Sequence, residues 1–281
     1  MIGRLAFGLF ASLFLAATAP AQERELVFAI TEGVTYQATP KDIRDKFTPL
    51  ADVLSKATGR HVRMIVVPSY DELRAGFSKQ EYDLAFVHPA HVAMAEVKAD
   101  RYKALAWTSG FTEYTVSLMM DSKQSLKTLD DLKGRTIVTP DPDSITAMMV
   151  RAMFRAEKLP STTGKDVTPN ATRVITTRYQ DAVPFYIENG FAEVGATAAN
   201  SVVKAWTDKG GKILTKSRPV PIKQVIVATR VPAETQTRLR QALFGLKDSK
   251  PGRDALETLG YKGFVPPSPD VEVATIAWLG L

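Results

Sequence analysis

Short apolar runs and amphipathic stretches alternate along the chain with a regular rhythm. Leu26-Val27-Phe28-Ala29-Ile30 reads as a buried strand, stopped at Glu32-Gly33. After Pro40, a helix is predicted with Ile43, Phe47, Leu50, Ala51 and Leu54 on one face and Gly59 at its end. Val62 to Val67 gives a second strand. Ser69 caps a helix carrying Leu73 and Phe77, and Tyr82 to Val87 forms a third strand. A helix from Pro89 and a strand from Tyr102 to Trp107 complete this unit.

Tyr114 to Met120 is extended and apolar, and Ser125 to Leu132 is expected to be a short helix ending at Gly134. The rhythm then restarts: strand 136–138, helix 144–158, strand 173–176, helix from Gln180, strand 193–196, helix to Asp208, strand 212–215. Gln224 to Thr229 is extended again, and helices start near Pro232, Lys250 and Asp270. Strands alternating with helices at this spacing predict an α/β chain of two Rossmann-like lobes with largely parallel sheets. Extended stretches 114–120 and 224–229 are expected to be hinge connectors. The first lobe is then discontinuous, 22–114 plus 225–281, and 115–224 is inserted into it. One continuous doubly wound sheet is the competing arrangement. In open parallel sheets ligands sit beyond the carboxyl ends of the strands, so two such lobes would face each other across a cleft.

The first residues break the pattern. Arg4, an apolar run from Leu5 to Ala17 and Ala19-Pro20-Ala21 have the layout of an export leader, which places residues 1–21 outside the fold and the mature protein in the periplasm. No later stretch is long and apolar enough to span a membrane. The 281 residues contain no cysteine, which removes disulfides, thiolate metal sites and cysteine nucleophiles. Charge is +6, or +5 once Arg4 leaves with the leader, and the basic residues are scattered. That pattern excludes a nucleic-acid tail. There is no G-x-S-x-G elbow, P-loop or G-x-G-x-x-G, so no cofactor and no catalytic residue is assigned.

Several passages together carry a resemblance: the helix ending Thr58-Gly59-Arg60, Pro68-Ser69-Tyr70, Tyr82-Asp83-Leu84-Ala85-Phe86-Val87-His88-Pro89-Ala90, Leu129 to Gly134, and Asp141-Pro142-Asp143-Ser144. From about residue 25 to 265 the chain resembles the phosphate/phosphite/phosphonate group of ABC-transporter periplasmic substrate-binding proteins, with the type II binding-protein fold. The resemblance implies a monomeric receptor that takes a small anion and delivers it to an ABC-transporter permease. A sensory module serving a membrane-bound receptor is an alternative use of the same fold. A metal-binding or hydrolytic protein built on His88 and His91 is a third reading, of a different class.

The first candidate site is Asp143-Ser144-Ile145-Thr146, at a strand-to-helix turn where free N–H groups and hydroxyls suit an oxyanion. Asp143 or Ser144 acting only as a helix cap is the competing reading. Ile145 and Ala147 depart from the hydroxyl-and-glycine pattern of the family. His88, Pro89 and His91 lie at the matching turn of the first lobe. Two histidines alone fall short of a metal ligand set. Thr31, Glu32 and Tyr36 follow the first strand, a cleft position by family analogy. Tyr179, Gln180 and Glu193 are expected to be the second lobe's counterparts, and Arg218 borders the cleft as a cation for the anion.

Overall fold

The computed structural model describes residues 24–33, 39–163 and 168–281. The leader and Tyr36 lie outside the described residues. Two six-stranded sheets organise the chain. The first contains β1 (Leu26–Thr31), β2 (Val62–Val66), β3 (Leu84–Val87) and β4 (Tyr102–Thr108). The second takes β5 (Ser117–Met120), β6 (Thr136–Thr139), β7 (Ser161–Thr163), β8 (Thr172–Thr176), β9 (Val194–Thr197) and β10 (Lys212–Lys216). Then β11 (Gln224–Ala228) and β12 (Phe264–Val265) return to the first sheet. The strand orders are β12-β4-β11-β3-β1-β2 and β10-β5-β9-β6-β8-β7.

The helices are α1 (Pro40–Thr58), α2 (Tyr70–Ser78), α3 (Ala90–Lys98), α4 (Ile145–Ala156), α5 (Val183–Glu188), α6 (Asn200–Asp208), α7 (Ala233–Phe244), α8 (Lys250–Leu259) and α9 (Pro269–Leu279). Local chemistry sets their ends. Thr39 and Asp42 form a reciprocal capping box at the start of α1, Pro40 occupies its first turn, and Gly59 closes it at φ 71°. Residues 125–132 do not form the expected helix. They narrow to a 3₁₀ turn, Leu129–Leu132, because Asp131 bonds back to the N–H groups of Lys127 and Thr128.

Both extended runs expected as connectors are taken into the sheets. Residues 117–120 are β5, antiparallel to β9 and β10, and 224–228 are β11, inserted antiparallel between β3 and β4. The chain passes between the sheets at 109–116 and 217–223, where Tyr114 and Val220 form an antiparallel bridge. The two crossings are therefore tied to each other.

Each sheet has its own core. Phe28, Phe47, Leu50, Leu73, Phe77, Leu84, Phe86 and Leu239 are fully buried in the first. The second core holds Leu118, Ile137, Met149, Val150 and Val194, and also takes Ala90 and Met94 of α3 and Leu279 of α9. Helix α9 packs on both α3 and α4, so the C-terminal helix touches elements of both sheets. At the base of the first sheet, Asp83 accepts from the Val27 N–H at 2.9 Å and pairs with Arg24 and Arg230. Its own N–H and C=O bond to Val27 and Ala228. One residue thereby joins β1, β3 and β11.

Burial pushes the Asp83 carboxyl up, but the Val27 N–H and the two arginines outweigh it and hold the pKa below 3.8. Asp83→Ala is expected to cost about 2–3 kcal/mol in urea unfolding, below the full cost of a buried pair because the arginines stay partly hydrated. A lowered carboxylate pKa stabilises above its unfolded value, so the penalty should vanish as pH falls below 3.8. An unchanged midpoint at neutral pH contradicts this role.

Candidate functional site

The parallel strands β1, β3, β6 and β9 deliver their carboxyl ends to the region between the sheets. On the second-sheet side, Pro140-Asp141-Pro142 interrupts the chain after β6 and turns it into α4. Asp141 accepts from the N–H groups of Asp143 and Ser144 at 2.9 Å each, through its side chain and its carbonyl. Ser144 Oγ then accepts from Ala147 N–H at 3.2 Å. Capping is thus a real task of Ser144, and it uses the hydroxyl as acceptor, which leaves the O–H to donate. Ser144, Ile145 and Thr146 are all buried. Tyr114 Oη lies 3.5 Å from Thr146 Oγ1, bringing the first crossing onto the first turn of α4. A cavity of about 440 Å³ opens beside it, lined by Phe111, Glu113, Tyr114, Ala199, Asn200 and Ser201 among others. The last three begin α6, whose N-terminus has no side-chain cap.

On the first-sheet side, Pro89 precedes α3 without a side-chain cap, and both His88 and His91 are buried. His88 Nδ1 lies 2.8 Å from the Glu32 carbonyl. Gly33 has φ 95°, which a residue with a side chain rarely adopts, and a methyl added there would touch His88 and the Tyr70 hydroxyl. The Tyr70 ring meets His91 edge-on at 6.1 Å. Arg74 lies over the Tyr70 ring at 5.9 Å and reaches Asp143 at 3.4 Å. Arg74–Asp143 is therefore an ion pair between an α2 side chain and the turn that starts α4.

Glu32 sits within a buried cluster of charge. Its carboxylate accepts from Lys46 at 2.6 Å and from the Tyr261 hydroxyl, and Lys223 lies 3.5 Å away. Lys223 also reaches the Tyr261 oxygen at 3.1 Å and lies 4.4 Å over the Phe111 ring. Burial raises the Glu32 pKa, but Lys223, Lys46 and Tyr261 outweigh it and hold the group below its ordinary value. Lys223 is pushed down by burial, with Glu32 opposing. Two cations against one carboxylate leave this end of the site positive.

Both histidines are held neutral. Burial, then Lys223, lowers His88 to about 3, and burial, then Arg74 and Arg151, lowers His91 to about 3. Among the described residues no group of three or more His, Cys, Asp or Glu side chains is placed to hold a metal. Neither ring nitrogen of His91 makes a hydrogen bond of ordinary geometry.

The other expected residues fall into two groups. Thr31 is buried at the end of β1, next to the cluster. Tyr179 is half-buried beneath Arg178, and Gln180 accepts from Ala198 N–H and Thr197 Oγ1 at 2.7 and 3.1 Å, fixing the turn after β9. Glu193 and Arg218 lie elsewhere. Glu193 precedes β9 and accepts from Thr136 N–H at the start of β6, the opposite end of the sheet from Ser144. Arg218 is exposed over Trp278, whose carbonyl binds Arg155 in the last turn of α4, far from that helix's N-terminus. Sequence reasoning missed Lys46, Tyr70, Arg74, Tyr114, Lys223 and Tyr261. Lys223 had a signal: a cation set inside the apolar run from Val220 to Val227.

A family model described as ABC transporter, phosphonate, periplasmic substrate-binding protein matches residues 33–271. Among solved structures, XAC2383 from Xanthomonas citri bound to ATP superposes with a TM-score of 0.77 at 14% identity, covering 91% of this chain and 96% of that one. PhnD1 from Prochlorococcus marinus in complex with methylphosphonate gives 0.63 at 14% identity, with 91% and 96% covered. A binding protein component of an ABC phosphonate transporter from Pseudomonas aeruginosa gives 0.61 at 18%, with 91% and 85% covered. These likenesses show a shared fold.

The buried neutral histidines predict a pH profile. Their ordinary value is 6.5, so below it the unfolded chain binds protons that the native state refuses. Stability is then complete above about 6.5 and falls with pH by up to about 1.4 kcal/mol per unit for each histidine. Urea midpoints should drop steeply between about pH 6 and pH 4 with a slope approaching two protons. A flat profile across that range contradicts the burial of the pair.

Proposed function

The chain belongs to the phosphonate-binding family of ABC-transporter periplasmic substrate-binding proteins, and from that membership we propose that it captures a small oxyanion of the phosphonate or phosphate class between its two lobes. The protein is a solute-binding receptor of two α/β lobes with the type II binding-protein fold. Its expected client is the permease of an ABC importer, which receives the anion from a monomeric receptor. Residues 1–21 are then the leader that exports it to the periplasm. Its lobes are 22–114 with 225–281 and 115–224, with α9 lying against both.

One observation carries the ligand class. The N-termini of α4 and α6 meet the space around Tyr114, α4 through Thr146 and α6 through Ala199, Asn200 and Ser201; Glu113 lines the same cavity, and Glu32 is already matched by two lysines. Helix N-termini present N–H groups and partial positive charge to a negative ligand. Ser144 and Thr146 add hydroxyls, and Arg74 adds a cation that now holds Asp143. Two structural neighbours hold ligands with phosphorus oxyanions, ATP in one and methylphosphonate in the other, which supports the same class here. No step of bond making is required of any residue. A bound ligand holds the lobes together because it gains contacts from both only when they close.

Thermal-shift titration should show a rise in Tm that grows with methylphosphonate or phosphate concentration, as expected for a ligand that binds only the folded chain. Replacing Ser144 with Ala and Thr146 with Val together should remove binding in calorimetry while the fold persists. Undiminished affinity in the double variant contradicts the α4 site.

A further inference from the structure

His91 is one of the buried polar groups that make no ordinary hydrogen bond, and it stands beside the turn that starts α4. It occupies the first turn of α3, is 2% exposed, and has no hydrogen bond of ordinary geometry at Nδ1 or Nε2. The Asp143 backbone lies close enough to favour a proton on one ring nitrogen, and the other has no partner; a buried nitrogen left so costs free energy that a solvated one does not, so its retention at a cleft calls for a partner that arrives later. The groups around it can be named element by element. Tyr70 and Arg74 face it from α2, Arg151 from α4, the Asp143 backbone from the turn before α4, and His88 from its own turn. Two guanidinium groups and a helix N-terminus surround a neutral ring. The Asp143 carboxylate is engaged by Arg74.

Resting on the oxyanion reading above, we propose that His91 is the residue through which the site takes up one proton with its ligand, the imidazole becoming imidazolium as the oxyanion docks. The proton comes from solvent, adds to the free ring nitrogen, and the new N–H donates to a ligand oxygen. No other bond changes. Burial, and after it the positive charge of Arg74 and Arg151, keeps the empty site's ring neutral; the charge contribution is offset once an anion stands beside it. A dianion offsets it about twice as strongly as a monoanion at the same distance. His91 therefore favours doubly charged phosphonate and phosphate over singly charged sulfonate, and affinity weakens as pH rises, by up to about tenfold per pH unit from this proton. His88 does not share the task, because its Nδ1 is committed to the Glu32 carbonyl and Lys223 lies behind it.

The chain has three histidines, and His61 is exposed, so ¹⁵N-histidine NMR reads His91 directly in the whole protein. On adding methylphosphonate at neutral pH, the His91 nitrogens should move from the neutral to the imidazolium pattern. Calorimetry in buffers of different ionisation heat should show about one more proton taken up by the unaltered protein than by His91→Gln, a difference that cancels the ligand's own titration. Methanesulfonate should bind more weakly and leave His91 neutral. Methylphosphonate binding with His91 still neutral, or with equal proton uptake in both proteins, overturns the proposal and leaves the receptor reading intact. If neither methylphosphonate nor phosphate binds, the oxyanion reading fails and the proposal falls with it. Should His91→Gln not fold, the NMR signal of the unaltered protein decides alone.

Discussion

A carboxylate largely withdrawn from solvent just past β1 has to be matched by cations, and the way Glu32 is matched fixes much of the site. Lys46 comes from α1, Lys223 from the second crossing, and Tyr261 from the segment between α8 and β12. Three stretches distant in sequence are thereby held at one point. The Glu32 carbonyl orients His88, and Gly33 lets the chain turn tightly against His88 and Tyr70. Removing Glu32 leaves Lys46 and Lys223 in low dielectric without their match, which costs more than the pairs contribute. The network also touches the hinge, since Lys223 lies over Phe111 of the first crossing. The loop after β1 and the two crossings are therefore mechanically linked.

On the opposite side of the cleft the constraint is different. Second-lobe groups reach the site through backbone, as N-termini of α4 and α6, and through small hydroxyl side chains. Arg74–Asp143 and Tyr114–Thr146 bring the two sides together without closing every polar need, and His91 keeps its unmatched nitrogens between them. A site built from N–H groups, hydroxyls and neutral rings, with surplus cations at its edge, discriminates by geometry and charge.

The regular elements were legible because their periodicity is strong. Helix α1 announces itself through Pro40, its apolar face and Gly59, and β1 and β3 through unbroken apolar runs. β7 and β12 were not legible, since three and two residues carry no period. The turn at Asp141 to Ser144 was readable from its proline, acid and hydroxyl residues. Glu193 and Arg218 stand apart from the first turn of α4, Glu193 at the amino end of β9 and Arg218 over Trp278, because sequence order says which element a residue adjoins but not where that end lies in space. Glu193 stands before its strand and Ser144 after its own, so the two lie at opposite ends of the sheet. Lys223, Lys46 and Tyr261 were invisible as a group because only the fold brings residues 32, 46, 223 and 261 together.

A crystal structure of the chain grown with methylphosphonate tests the central claim most directly. The ligand oxygens are predicted to lie within hydrogen-bond distance of the first-turn N–H groups and hydroxyls of α4 and of the His91 ring, with both lobes in contact. Methylphosphonate seated instead in the groove of about 570 Å³ between α1 and residues 241–254, with no ligand oxygen near Ser144 or His91, contradicts the account.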